Sequence, residues 1–343
     1  MLTLLPSCSS PSSWRPWGDR TRSENRVYRI DGRDDMRLIY RDYGPHDAPL
    51  TLVLLHGAAS SKYSWAHVAD RLADRYRVIL IDLLGHGDSS KPLDYPYSMS
   101  DHGRIIRDFI RAQRLGPVVL FGMSYGGGVA LETSRLYFES PQPPNPVAGL
   151  VLVAPAAYTF PPPPQYLKLR AWWMPLAIDL APSFAVVNYS VDARYHDPRR
   201  CKRECRMEHA RVLHDRTARK IGRNVMVAAM EELELRENEM QRYKHIDCPA
   251  LVLWGDDDKV VSPFVREKLV SGLGRPPTTI VIPNCGHAVC EEQPDRAMPF
   301  INDLLTRVAA PRFSRDPPGE RGEPSASTPP RRAGTRPAAP SAQ

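Results

Sequence analysis

Six stretches of the chain are apolar without alternation: LTLVLLHG (50–57), YRVILIDLLGHG (76–87), PVVLFGMS (117–124), AGLVLVAP (148–155), PALVLWGDDD (249–258) and TTIVIPNCGH (278–287). Runs of this kind fit strands covered on both faces, and most of them end in glycine-bearing turns. Helical periodicity fills the gaps, over Tyr63–Ala73, Ser98–Arg114, Tyr125–Glu139, Pro263–Leu273 and Ala297–Val308. Strand and helix in alternation predict an α/β fold with a mostly parallel, doubly wound sheet. With an antiparallel entry pair at 26–31 and 36–43, the sheet has about eight strands.

One region breaks the alternation. Residues 156–245 contain no strand pattern; they open on Pro161–Pro164 and continue as helix. Asp197-Pro198 reads as an N-cap and first turn, starting a helix that runs towards Gly222, with another over 225–240. A helical block between two strands of one sheet reads as a lid over the strand ends, where open α/β sheets bind ligands.

Composition places the folded part at 26–309. Residues 310–343 hold eight prolines with Arg, Ser, Ala and Gly, and residues 1–25 are similar; both are expected to be disordered. The net charge of +7 comes from these tails and the insertion. Residues 1–30 carry five arginines against two acids, 310–343 six against three, and 155–246 sixteen basic against eleven acidic side chains. No nucleic-acid motif accompanies that excess, so no specific nucleic-acid partner is expected. No apolar run approaches the roughly 18 residues of a membrane span. The N-terminus MLTLLPSCSS lacks a basic n-region, and six scattered cysteines form no disulfide framework, so the expected compartment is the cytoplasm.

The chemistry starts from FGMSYGGGVA (121–130). A serine between glycines, after a strand and before a helix, reads by itself as an ordinary turn more readily than as a nucleophile's turn, and only ordered partners reverse that. A hydroxyl attacks only if a base removes its proton, and the base needs a third group to hold its tautomer. His287, in the turn after the last strand, is placed to be the base. Asp256, Asp257 and Asp258 close the preceding strand, where the acid belongs. The order is Ser, Asp, His, with 134 residues from Ser124 to Asp258 and 29 from there to His287.

Five motifs in order then carry a resemblance over residues 26–308: HGAASSKYSW (56–65), IDLLGHGDSSKP (81–92), the serine turn, WGDDDKVVSP (254–263) and NCGHAVCEEQP (284–294). The chain resembles the α/β-hydrolase superfamily, in the branch with meta-cleavage-product hydrolases, esterases and cofactor-free haloperoxidases. The resemblance implies Ser124, Asp258 and His287 as a triad, with Asp258 third after Gly255, and backbone N–H groups of Ala58 and Tyr125 as the oxyanion hole. It implies no cofactor. Relatives that dehalogenate or open epoxides use Asp as nucleophile, and Ser124 argues against both activities.

Other polar groups have plainer readings. His56 and His86 sit in glycine turns and read as structural; Asp82 and Asp88 read as partners of loop backbone. Cys201, Cys205 and His209 recur at i, i+4, i+8, but on one helix the first and last stand about 12 Å apart, too far to share an ion, so no metal is expected. Trp172, Trp173 and Met174 either line an acyl pocket or pack the insertion. The resulting expectation is a serine hydrolase acting with water on a small or medium apolar ester, lactone or related acyl substrate. Carbon–carbon hydrolysis of a vinylogous diketone and a triad-bearing small-molecule receptor remain the alternatives.

Overall fold

The computed structural model describes residues 24–33, 35–140 and 144–310, so the two tails lie outside the described residues. Eight strands form one sheet: β1 (Arg26–Arg29), β2 (Arg37–Tyr43), β3 (Thr51–Leu55), β4 (Arg77–Asp82), β5 (Val118–Met123), β6 (Val147–Val153), β7 (Ala250–Gly255) and β8 (Thr278–Ile282). Their order is β1-β2-β4-β3-β5-β6-β7-β8. β1 pairs antiparallel with β2, and β2 with β4, while all remaining pairs are parallel. The helices are α1 (Ala66–Leu72), α2 (Met99–Ala112), α3 (Tyr125–Phe138), α4 (Pro164–Leu167), α5 (Met174–Leu180), α6 (Ser183–Arg194), α7 (Arg203–His214), α8 (Arg216–Leu235), α9 (Pro263–Gly272), α10 (Val289–Glu292) and α11 (Pro294–Ala309).

The unbroken apolar runs have the expected cause: alternate residues of one strand enter different cores. Val53, Leu55, Ile79, Ile81, Leu120, Leu152 and Trp254 pack with α2, α3 and α9 on one face. Leu52, Leu54, Val78, Leu80, Phe121, Val153 and Leu253 pack with α1 and α11 on the other. Neither face of β3, β5 or β7 meets water, so no polar side chain faces solvent there, whereas the edge strand β8 is part exposed and opens on Thr278 and Thr279. Helix starts follow cap chemistry: Ser98 Oγ accepts from the Asp101 N–H at 3.0 Å to open α2, and Ser262 accepts from Phe264 ahead of Pro263 in α9.

The region between β6 and β7 is helical, α4 to α8, but its course differs from the sequence reading. The helix expected from Asp197 to Gly222 is broken twice. Asp197 caps only a single 3-10 turn, Pro198–Arg200, and Cys201 and Lys202 then turn extended (ψ 91° and 172°). A second break falls at Asp215 (ψ 119°), whose side chain accepts from the Thr217 N–H and restarts the chain as α8. At the second break the capping aspartate competes with the helical ladder; the first, at Lys202, has no side-chain cap. α8 ends at Leu235, short of the expected 240. No single helix among the described residues is long and apolar enough to cross a membrane; α5 and α6 have the length and composition together but are bent by 113°.

Glu132, buried in α3, ties the sheet's helices to the end of the insertion. Its Oε1 accepts from Arg242 Nε (2.7 Å), Tyr243 Oη (2.9 Å) and Arg236 (3.2 Å), and its Oε2 from Arg242 (2.8 Å), Arg135 and Ser100 (3.1 Å each). Burial pushes its pKa up, but the hydrogen bonds and charge of Arg242, with Arg236 and Arg135, hold it at about 2. The stabilisation is therefore fully present above the unfolded value of about 4.3 and is lost as pH falls towards 2. Glu132→Gln, which removes the one buried charge shared by Arg135, Arg236 and Arg242, is expected to cost about 3 kcal/mol in urea unfolding at neutral pH, with a shallower loss below pH 4. An unfolding midpoint equal to that of the parent protein at pH 7 would refute this.

Candidate active site

Ser124 occupies the sharp turn between β5 and α3, with φ +53° and ψ −120°. A non-glycine residue there is strained, and the strain is held by neighbours. The Ser124 N–H donates to Val153 O at 2.9 Å, and the Ala156 N–H donates to Ser124 O at 2.9 Å. Glycine at 122 and 126 is dictated by close approach: a Cβ on Gly122 would land on the Gly126 carbonyl, and one on Gly126 on the carbonyls of Leu55 and His56. The turn thereby brings the end of β3 against the start of α3.

The loop after β3 runs beside the serine. A Cβ on Gly57 would lie 3.3 Å from Ser124 Cβ, which puts Ala58 and Ala59 (φ +53°) at the same end of the sheet. Tyr125 is the first residue of α3, so its N–H has no acceptor within the helix. Its side chain is anchored elsewhere, the hydroxyl 2.7 Å from both Tyr97 O and His102 Nδ1. The N-terminus of α3 favours negative charge at this position.

Asp258 and His287 follow β7 and β8, at the carboxyl ends of strands in the same sheet as β5. His287 Nδ1 lies 2.8 Å from Asp258 Oδ2, and both side chains are buried. The other carboxylate oxygen of Asp258 accepts from the N–H groups of Val260 (2.8 Å) and Val261 (3.0 Å), which fixes its plane. The neighbouring aspartates face elsewhere. Asp257 is half-exposed and pairs with His196 (2.9 Å) and Lys259 (3.0 Å), and Asp256 accepts from the Cys285 N–H at 3.2 Å.

With that geometry in place, the family comparison is direct: the model of the alpha/beta hydrolase family matches residues 52–298. The chain belongs to the alpha/beta hydrolase family. A monoacylglycerol lipase of Xenopus laevis, abhd6-B, is 26% identical over 296 residues, covering 80% of this chain and 83% of the lipase. A 2-hydroxy-6-oxo-6-(2'-aminophenyl)hexa-2,4-dienoic acid hydrolase of Metapseudomonas resinovorans is 28% identical over 274 residues, covering 75% and 84% of the two chains. Among solved structures, Cfl2 of Burkholderia cenocepacia overlays with a TM-score of 0.72 at 21% identity, over 84% of this chain and 98% of its own, a likeness that carries the fold alone. Hydrolase is the activity class these family relatives share.

Several residues of this hydrolase have positions that periodicity did not reveal. Lys62 is fully buried, its Nζ 2.6 Å from Asp82 Oδ2 and 2.8 Å from Asp88 Oδ2; Asp82 also holds loop backbone as expected, whereas the Asp88 carboxylate holds side chains instead. Arg211 of α7 reaches the same Asp88 at 2.8 Å. His56 Nε2 accepts from the Leu83 N–H (3.1 Å) while Nδ1 faces Gly57 O (2.8 Å), which is a structural pairing. His86 Nδ1 likewise faces Leu84 O at 3.0 Å. Glu292 accepts from the N–H groups of Gly286 (2.7 Å), His196 (3.1 Å) and Asp197 (3.0 Å), clamping the insertion onto the turn that carries His287. Two adjacent acids after a histidine turn were its only trace in the sequence. Tyr166 of α4 also senses the site: burial, then Tyr189 and the charge of Asp258, push its phenol up to about 12.

Trp172 is 90% exposed and Trp173 45%, with Met174 partly buried at the start of α5, so Trp172 lines no enclosed pocket in this structure. The cysteine reading also changes. Cys201 and Cys205 are joined as a disulfide, and Cys201 Sγ, Cys205 Sγ and a His209 ring nitrogen lie within 4.8 Å of one another. The 12 Å separation assumed one straight helix. Cys201 instead belongs to the extended link before α7, which folds it back over the first turn.

Proposed function

We propose that this protein is a serine hydrolase working through Ser124, His287 and Asp258. The observation that carries the reading is the buried 2.8 Å contact between His287 Nδ1 and Asp258 Oδ2, at the same end of the sheet as a serine held at φ +53°. With Nδ1–H donated to the carboxylate, Nε2 is left as the base. Ser124 Oγ attacks the carbonyl carbon of an ester, its proton passes to Nε2, and the tetrahedral oxyanion accepts from the N–H groups of Ala58 and Tyr125. Collapse of that intermediate expels the alcohol, which takes the proton from Nε2. Water then attacks the acyl-enzyme with His287 again as base, releasing the acid.

The insertion is the lid in this reading. α8 packs on the oxyanion loop, where a Cβ on Gly222 would lie 3.0 Å from Ala59 Cβ. The Ala288 N–H donates to Arg194 O at 3.1 Å, so the end of α6 covers the histidine turn. The substrate class is a small or medium apolar ester, lactone or monoacyl compound, in keeping with the lipase relative. The second reading, carbon–carbon hydrolysis of a vinylogous diketone, rests on the dienoic acid hydrolase relative.

A screen of p-nitrophenyl esters of increasing acyl length, with a vinylogous 1,5-diketone alongside, separates the two. Repeated turnover of at least one ester, absent in Ser124→Ala, is the expected result. Diketone cleavage with no ester turnover would replace the first reading by the second. A single turnover that stalls would instead point to a receptor.

A further inference from the structure

The Cys201–Cys205 disulfide, set aside by the sequence and unused by hydrolysis, stands beside two further metal-binding side chains, His209 and Glu291. Cys205 and His209 lie on consecutive turns of α7, Cys201 on the extended link before it, and Glu291 on α10, just after the catalytic histidine turn. All four residues are buried. Glu291 Oε2 lies 3.3 Å from His209 Nε2 and 3.8 Å from Cys205 Sγ. A tetrahedral ion with bonds of about 2.0–2.3 Å sets its ligands about 3.3–3.8 Å apart. Glu291 Oε2 stands at that spacing from His209 Nε2 and Cys205 Sγ, while Cys201 Sγ lies within 4.8 Å of the Cys205 sulfur and a His209 ring nitrogen and parts from Cys205 Sγ only on reduction.

A second observation points to a missing ligand. Oε1 of Glu291 is buried with no hydrogen-bond partner among the described residues, although its other oxygen accepts from Tyr195 Oη at 3.0 Å. A buried polar atom without a partner is costly, and a disulfide does nothing to satisfy it. The same carboxylate, with Cys205 and His209, lines a small cavity completed by Ser60, Ser61 and His67. Tyr195, 3.2 Å from Cys205 Sγ, would hold both the carboxylate and the sulfur from outside.

We propose that the reduced chain binds one zinc ion through Cys201, Cys205, His209 and Glu291, tying α7 of the insertion to the helix after His287. Two sulfurs, one imidazole and one carboxylate form a zinc set. Two thiolates and a carboxylate bring three negative charges, and the ion leaves one. That charge faces Arg194, whose guanidinium lies 3.1–3.2 Å from the His209 ring nitrogens and yields one of them to the ion. Glu208, the other acid beside His209, is already paired with Arg211 at 2.8 Å. The site is gated by redox state. A thiol or phosphine reductant delivers two electrons to the S–S bond and is itself oxidised, and zinc then displaces the two thiol protons. Oxidation by a disulfide such as oxidised glutathione closes Cys201–Cys205 again and releases the ion.

The test uses the full chain, reduced with a phosphine or oxidised with glutathione disulfide, equilibrated with Zn2+, gel-filtered and assayed for metal. The expected result is one zinc per chain when reduced and none when oxidised, with at least tenfold weaker zinc binding in Cys205→Ser, His209→Gln and Glu291→Gln. Co2+ added to the reduced parent chain should give a thiolate-to-metal charge-transfer band and tetrahedral d–d absorption, a readout that stands even where a variant fails to fold. Absence of that band overturns the proposal. So does a reduced chain that holds no zinc, folded variants that hold zinc as the parent does, or a Cys201–Cys205 bond that resists reduction in the folded protein.

Discussion

A fluorophosphonate probe is expected to label Ser124 and no other serine, and Ser124→Ala to lower ester hydrolysis by a factor on the order of 10³ or more. The physical basis is a strained, glycine-flanked serine at the same end of the sheet as a buried imidazole whose Nδ1 lies 2.8 Å from Asp258 Oδ2. His287→Ala should cost a similar factor. The double variant should cost little beyond either single one, because without the base the hydroxyl is no better than water and without the hydroxyl the base has nothing to deprotonate. Peptide mapping of the adduct to FGMSYGGG, with kcat measured for the three variants, checks this. Hydrolysis that survives Ser124→Ala, with no adduct formed, would sink the mechanism.

The second large effect separates three consecutive aspartates. Asp258→Asn is expected to reduce kcat by a factor on the order of 10³–10⁴, because an amide can donate to Nδ1 and so hold the imidazole in the tautomer that leaves Nε2 protonated. The backbone donors of Val260 and Val261 would keep the side chain in place, so the loss would be chemical and the fold retained. Asp257→Asn removes only half-exposed contacts with His196 and Lys259, and Asp256→Asn weakens one bond to the Cys285 N–H. Each of these two is expected to change kcat less than tenfold, since exposed ion pairs contribute little. Equal losses at Asp257 and Asp258 would contradict the assignment, and a full loss at Asp257 alone would move the acid by one residue.

Much of the fold was legible in the chain. The eight strands lie where the apolar runs and the antiparallel entry pair placed them; for the central strands this is because a strand buried on two faces is apolar throughout, while β1 and β8 are part-exposed edge strands. α2 begins after Ser98 and α9 at Pro263, since cap residues act within a few positions of themselves. The order Ser124, Asp258, His287 was equally readable, because β5, β7 and β8 keep their sequence order across the sheet, whereas β3 and β4 exchange places.

What failed was helix continuity in the insertion. Asp197 opened a turn as its Asp-Pro pair predicted, but that turn ended at Arg200, and the apolar period ran on across Cys201–Lys202 and Asp215 where the backbone did not. From that one difference follows the convergence of Cys201 with Cys205 and His209, which a straight helix forbids.

The sequence by itself determined the alternation of strand and helix, the two-sided core and the positions of Ser124, Asp258 and His287 at strand ends. These depend on local preferences and on burial, both written in neighbouring residues. Only the tertiary structure decided that Lys62 is buried between Asp82 and Asp88, that Glu292 clamps residues 196–197 to the histidine turn, and that Glu291 faces α7. Each of these joins side chains about 20 to 96 positions apart, and a charge so placed is stable only because a distant partner compensates its desolvation. No period or composition records which partner that will be, since the pairing exists only once the helices have packed.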